Sequence, residues 1–364
     1  MRVALVHDDL VQWGGAERML EALTYLFPRA PIYTSLFDSS NRELNFRFGH
    51  KKVYASFLQR IPGWRALYKM LLPLYPLAFE QFDFTNFDLV ISQSTRFAKS
   101  ILTKPGTVHI SYIHTTPRFL WDPYDTSLKP FKALLNVLKF YDRISANRAD
   151  FFLAGSQNAQ KKIKNYYGKD SVVVYPFADY KRFDSEKSFN GGYFITISRL
   201  NKYKRIDLAV ESCIKMGLFL KVIGTGPDLD RLQRLAKDSR KIEFLKNVDD
   251  DLLAFLLSGA RALIIPGVED FGIVSLEAQA TGKPVIAYRT GGALETVIEG
   301  KTGIFFDEQT TSSLSCALTE FENKEFDAKD CKYNARKFTE ESFFKNFNFA
   351  VGSALKLDSL RQGH

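Results

Sequence analysis

Short runs of apolar residues recur along this chain, each closed by a polar or glycine-containing turn and followed by apolar positions at helical spacing. "RVALVHD" (2–8), "DLVISQS" (88–94), "VHISYIH" (108–114) and "DFFLAGS" (150–156) are such runs. A helical pattern from about residue 16 to 27 follows the first of them. "VVVYPFADYKRFD" (172–184) predicts a strand leaving this series and a proline-containing link. A second series then begins with "YFITISRL", "FLKVIGTG", "IEFLKNV", "RALIIPG" and "PVIAYRT". Continuous apolar runs separated by helices predict parallel strands covered on both faces. The expected fold is α/β, with two Rossmann-like doubly wound units facing a cleft and ligands beyond the carboxyl ends of the strands. The boundaries expected are 1–176 and 177–337. An aromatic helix over 338–358 is expected to pack back on the first unit.

Composition changes this picture little. At 364 residues, with 45% hydrophobic and 25% charged positions, the chain suits two globular domains. A net charge of +9 favours an acidic partner, a nucleotide or a phospholipid face. No basic block or zinc-finger spacing marks a nucleic-acid module. Three cysteines, Cys213, Cys316 and Cys331, lack paired spacing, which argues against a disulfide framework and for a reducing cytosol. "MRVALV" is too short for a signal peptide, and no apolar run is long enough to span a bilayer.

Candidate chemistry concentrates in the second half. In "EDFGIVSLE", Glu269 and Glu277 bracket a mostly apolar segment that follows the strand "ALIIPG". If a helix begins near Gly272, the amides of Phe271, Gly272, Ile273 and Val274 can point at an anion. The plainer alternative is that Glu269 or Asp270 caps the helix and Glu277 is solvated. In "SRLNKYKR", Arg199 supplies a fork and Lys204 a mobile ammonium, the pair a diphosphate needs. Lys202, Arg205 and Lys221 are expected to add a positive field there; a solvated basic loop is the alternative.

The first half offers weaker signals. Gly14 and Gly15 in "WGGAER" permit close approach to a phosphate or sugar, or only turn a strand into a helix. "VIGTGPDL" lacks the third glycine of a dinucleotide fingerprint. His114, in "YIHTTPRFLWD", can donate to a sugar hydroxyl or simply fix its loop. Arg118 can hold an acceptor phosphate, and Trp13 and Trp121 complete the acceptor candidates. "HDD" (7–9) is ambiguous as a metal site, whereas "DDD" (249–251) reads as a helix start; no metal is expected. Residues 51–79 interleave Lys51, Lys52, Arg60, Arg65 and Lys69 with Trp64, Tyr68, Leu71 and Leu72. They suit an anionic bilayer surface or a lid over the first core.

"SRLNKYKR", "GTGPDLDRL", "VDDDLLAFLLSGARALIIP", "EDFGIVSLEAQATGKPVIA" and "GGALETVIEGKTGIFF", in that order, resemble family-4 retaining glycosyltransferases of the GT-B fold. "GGAER" and "YIHTTPRFLWD" look like the bacterial O-antigen mannosyltransferase subgroup. The resemblance implies that Arg199 and Lys204 bind the diphosphate, that Glu269 lies near the donor sugar and that Glu277 meets the ribose. It implies that residues 271–274 meet sugar hydroxyls and phosphate, that Gly14 and Gly15 close on the donor, and that His114 is the active-site histidine. Asp270 departs from the glycine usual at that position.

The function this implies is transfer of mannose from GDP-mannose, without metal, to a glycan acceptor carried on polyprenyl diphosphate. The enzyme would be cytoplasmic and peripheral on the inner face of the membrane. A UDP-sugar donor and a sugar-nucleotide 2-epimerase are the alternatives.

Overall fold

The computed structural model describes residues 1–67, 70–122, 132–184, 189, 191–237, 239–246 and 248–362. It divides into one unit formed by Met1–Tyr175 with Phe343–His364 and a second formed by Pro176–Ser342.

The first unit is built on β1 (Val3–His7), β2 (Ile32–Thr34), β3 (Val53–Ala55), β4 (Leu89–Ser94), β5 (Val108–Ile113), β6 (Phe151–Ala154) and β7 (Val172–Val173). All pair in parallel, in the order β3-β2-β1-β4-β5-β6-β7. Every residue of β4 and β5 is buried, which is why these strands read as unbroken apolar runs. β2 and β3 were not foreseen: three residues each, they carry too little pattern to stand out.

The second unit contains β8 (Tyr193–Ile197), β9 (Phe219–Ile223), β10 (Ile242–Leu245), β11 (Ala260–Ile265), β12 (Val285–Tyr288) and β13 (Gly303–Phe306). These too are parallel, in the order β10-β9-β8-β11-β12-β13. Strand order reverses between β1 and β4 in one sheet and between β8 and β11 in the other. Such a reversal splays the following loops apart and opens a crevice beyond the strand ends.

Local signals explain several helix boundaries. Ser156 accepts from the Ala159 amide to start helix Gln157–Tyr167, and Gly168 ends it at φ 68°. Asp249 likewise accepts from the Leu252 amide and starts helix Asp250–Gly259. The last helix, Glu340–Gln362, sets Phe343 and Phe347 against Tyr112 of β5. No helix among the described residues is long and apolar enough to cross a membrane.

Among the described residues of 51–79 the helical pieces are short, Phe57–Arg60, Trp64–Leu67, Leu72–Leu74 and Tyr75–Glu80, as the prolines require. Trp64, Leu71, Tyr75 and Phe79 are buried in the core that also takes Phe84, Phe97 and Leu138. These apolar side chains therefore form a lid on the first sheet. Arg65 lies over the Trp64 ring and pairs with Asp38. Tyr68 and Lys69 lie outside the described residues.

Candidate active site

In the second unit, the crevice beside the β8–β11 reversal is lined by Ser198, Lys204, Ile206, Pro266, Gly267 and Glu269, among others. Lys204 ends the short helical turn Lys202–Lys204 that follows β8. Glu269 stands in the loop after β11. Lys204 Nζ donates to Glu269 Oε1 at 2.5 Å, with both side chains largely shielded from water.

Gly267 makes this contact possible. A Cβ there would stand 2.7 Å from the Lys204 Cα and 2.6 Å from its carbonyl oxygen. Beyond Glu269 the chain turns at Gly272, whose φ of 91° a side chain rarely tolerates, and enters helix Ile273–Ala280. The Ser275 amide bonds back to the Gly272 carbonyl to close the first turn. Ile273 and Val274 thus supply first-turn amides, which have no earlier helical carbonyl to bond. Phe271 is buried against Phe338, and Glu277 is buried inside the helix, so the solvated reading of Glu277 is corrected. The Gly292 amide donates to the Glu269 carbonyl at 2.8 Å and steadies the loop from the segment after β12. Gly267 and Gly292 had no role assigned from sequence; their signal was glycine beside a strand end.

The positive field expected around Lys204 is smaller than its residues suggest. Arg205 faces Asp207 at 3.3 Å, Lys221 pairs with Glu243, and Lys204 itself meets Glu269. Paired cations contribute little field at a distance. Arg199 is exposed one residue past Ser198 and is not among the residues lining the crevice.

The first unit carries the other candidates. Gly14 caps helix Gly15–Leu26 without a side-chain bond, above the buried carboxylate of Glu17. Glu17 Oε1 lies 3.7 Å from His7 Nε2, and His7 Nδ1 donates to Gln93 Oε1 at 2.9 Å. This chain of contacts ties the glycine turn to the ends of β1 and β4. Asp8 is structural: its carboxylate accepts from the amides of Thr95, Arg96, Phe97 and Ala98. Asp9 pairs with Arg96 and accepts from Tyr75 Oη.

His114 follows β5, its amide on the Ser94 carbonyl and its ring edge-on to Tyr112. Arg118 Nη1 lies 3.9 Å from Asp122. Trp121 donates from Nε1 to Asp142 and stacks on Tyr166, so packing holds it in place. The Arg47 guanidinium covers Trp13 at 4.1 Å.

Comparison with known proteins decides the family. The pattern described as "Glycosyltransferase Family 4" matches residues 13–182, and "Glycosyl transferases group 1" matches 177–338. The chain belongs to glycosyltransferase family 4. The family 4 chain is 25% identical to alpha-1,3/1,6-mannosyltransferase ALG2 of Dictyostelium discoideum, over 96% of this chain and 98% of that one. It is 27% identical to the GDP-mannose-dependent alpha-(1-6)-phosphatidylinositol monomannoside mannosyltransferase of Mycolicibacterium smegmatis, over 51% of this chain and 56% of that one. The crystal structure of Anabaena Alr3699/HepE with UDP and glucose superposes with a TM-score of 0.72, at 18% identity, covering 97% of this chain and all of that one. The two parallel-sheet units therefore constitute a GT-B glycosyltransferase.

Proposed function

We propose that this glycosyltransferase moves mannose from GDP-mannose, with retention and without a metal ion, onto a lipid-linked glycan of a surface polysaccharide such as O-antigen. The observation that carries the reading is the Lys204–Glu269 contact beside the first turn of helix Ile273–Ala280. An ammonium and first-turn amides suit a diphosphate leaving group, and a carboxylate next to them suits the hydroxyls of a sugar attached to it. Mannosyltransferase relatives, one of them GDP-mannose-dependent by name, support the choice of donor.

In this reading the bond between the anomeric carbon and the phosphate oxygen breaks as the acceptor oxygen adds on the same face. The departing phosphate takes the acceptor hydroxyl's proton. Lys204, Arg199 and the amides of Ile273 and Val274 stabilise the charge that grows on the phosphate. Glu269 holds the sugar, Glu277 the ribose, and His114 with Gly14 and Gly15 serves the donor from the first unit. Trp13, Arg118 and Trp121 serve the acceptor. The acceptor's lipid places the enzyme on an anionic membrane surface at the cytoplasmic face.

The test is a thermal-shift panel of GDP- and UDP-sugars followed by transfer of labelled sugar into membrane lipids. Stabilisation by GDP-mannose, EDTA-insensitive transfer of mannose and an α-linked product are expected. Selective stabilisation by a UDP-sugar overturns the choice of base. Conversion of the donor to its 2-epimer with no acceptor present overturns the transfer reaction.

A further inference from the structure

Helix Lys132–Ser145 of the first unit, "KALLNVLKFYDRIS", buries one face and leaves an apolar stripe outside. Leu138, Asp142 and Ser145 are buried. Leu134, Val137, Phe140 and Ile144 are 39%, 64%, 69% and 47% exposed, a contiguous row of large apolar side chains turned to solvent. At ~100° per residue these four fall within ~120° of one another around the axis. Lys132, Lys139 and Arg143 form a row within ~40° along the flank.

The only carboxylate of this helix, Asp142, is turned inward, where it meets Lys99, Trp121 and Tyr167. Tyr141 Oη donates to Glu80 Oε1 at 2.7 Å, which joins the helix to neighbouring helix Tyr75–Glu80. That element brings Leu77, 55% exposed, as a further outward apolar side chain.

We propose that this stripe is the surface by which the enzyme lies on an anionic bilayer, with Val137 and Phe140 entering the acyl boundary. Lys132 and Arg143 meet lipid phosphates there, while Lys139 lies over the Trp121 ring. A convex ridge with apolar centre and basic flank matches the plane of a charged bilayer. Pairing with a second copy would set the same basic row against itself, and nothing on the outer face of the helix would neutralise it. This assigns the membrane partner of the proposed function chiefly to helix Lys132–Ser145, with Leu77 the one residue drawn from the 51–79 segment. It is tested without donor or acceptor, so it can fail while the sugar chemistry stands.

The experiment is co-sedimentation of the full chain with vesicles of phosphatidylglycerol and phosphatidylcholine, and with phosphatidylcholine alone. The wild type is expected in the pellet with the anionic vesicles only, and less so in high salt. The double substitution Val137→Asp/Phe140→Asp is expected to lower the bound fraction about tenfold or more with no change in melting temperature. Phe140→Trp, which keeps the ring apolar, is expected to gain blue-shifted emission on adding anionic vesicles. Wild type left in the supernatant, undiminished binding by the double variant, or equal binding to phosphatidylcholine overturns the proposal. So does a wild-type dimer that ignores vesicles and is split by the same substitutions.

Discussion

Lys204 and Glu269 lie 65 positions apart in the chain yet meet at 2.5 Å, one from the end of each strand that flanks the reversal of the second sheet. The contact neutralises the ammonium while no diphosphate is bound. Under the function proposed above, an incoming diphosphate is expected to compete with Glu269 for Lys204 and to leave the carboxylate to the sugar. Glu269→Ala is expected to lower turnover by roughly 100-fold or more while nucleoside diphosphate binds as well as before or tighter. Lys204→Ala is expected to weaken nucleoside diphosphate binding by roughly 10- to 100-fold, as loss of a charge-assisted hydrogen bond implies. Titration calorimetry with GDP and steady-state kinetics separate the two. Equal loss of affinity in both variants would sink this division of labour.

The glycine supporting that contact is open to a test of its own. A methyl group at position 267 would meet the backbone of residue 204 rather than a movable side chain, so the turn that carries Lys204 must shift outward. Gly267→Ala is expected to mimic Lys204→Ala in nucleotide affinity, though no charge has been removed. Gly272→Ala meets no such obstruction, since its Cβ would lie 3.5 Å from the Glu269 Cβ, but it holds a φ of 91° at a cost of about 1–2 kcal/mol. That strain is expected to appear as a lower melting temperature of the second unit. Wild-type affinity in Gly267→Ala would show that the backbone approach is not needed.

Much of this was legible in the sequence because it is local. The fully buried strands β4 and β5 announce themselves as apolar runs, and Asp249 marks a helix start by residue type. Gly272 was read as a helix entry because it follows a strand and precedes helical spacing. What escaped depends on residues far apart in the chain. Whether Lys204 and Arg205 project a positive field is decided by Glu269 and Asp207, and no periodicity reveals such pairing. The apolar side chains of 51–79 look like a surface segment in isolation, yet the first sheet takes Trp64, Leu71 and Phe79 into its core. β2 and β3 are too short for any pattern and exist because β1 offers them an edge.

A buried ion pair gives the first unit a point of weakness. The side chains of Lys99 and Asp142 are wholly excluded from solvent and pair with each other, and Asp142 also accepts from Trp121 and Tyr167. Burial and the Asp142 charge together push the Tyr167 phenol well up, so it stays a donor. Lys99→Met leaves the carboxylate without its cation in a dry site, which is expected to cost about 3–5 kcal/mol. For a unit of this size that is roughly 10 °C in melting temperature. Lys99→Met with Asp142→Leu removes both charges and is expected to recover part of the loss. Calorimetric melting of the three proteins checks it, and a single variant as stable as wild type refutes it.

His109 provides a pH dependence that can be isolated. It is fully buried on β5; Nδ1 faces the Arg148 carbonyl at 3.1 Å, which can only accept, so Nδ1 carries the proton. Nε2 then accepts from Ser92 Oγ at 2.8 Å, and the ring is neutral. Burial pushes its pKa down to about 4, against 6.5 for an exposed histidine. Above pH 6.5 neither the folded nor the unfolded chain protonates this ring, and its stabilising contribution is complete. Between 6.5 and about 4 the unfolded chain takes a proton that the folded one refuses, so stability falls as pH falls. Below that window both states are protonated and the loss is complete. A depression of this size corresponds to about 3 kcal/mol. His109→Gln lacks the titration, so denaturant curves at pH 7 and pH 4 should show wild type losing about 3 kcal/mol more than the variant over that interval. Parallel losses in the two proteins would mean that His109 is protonated in the fold, and the tautomer assigned here would be wrong.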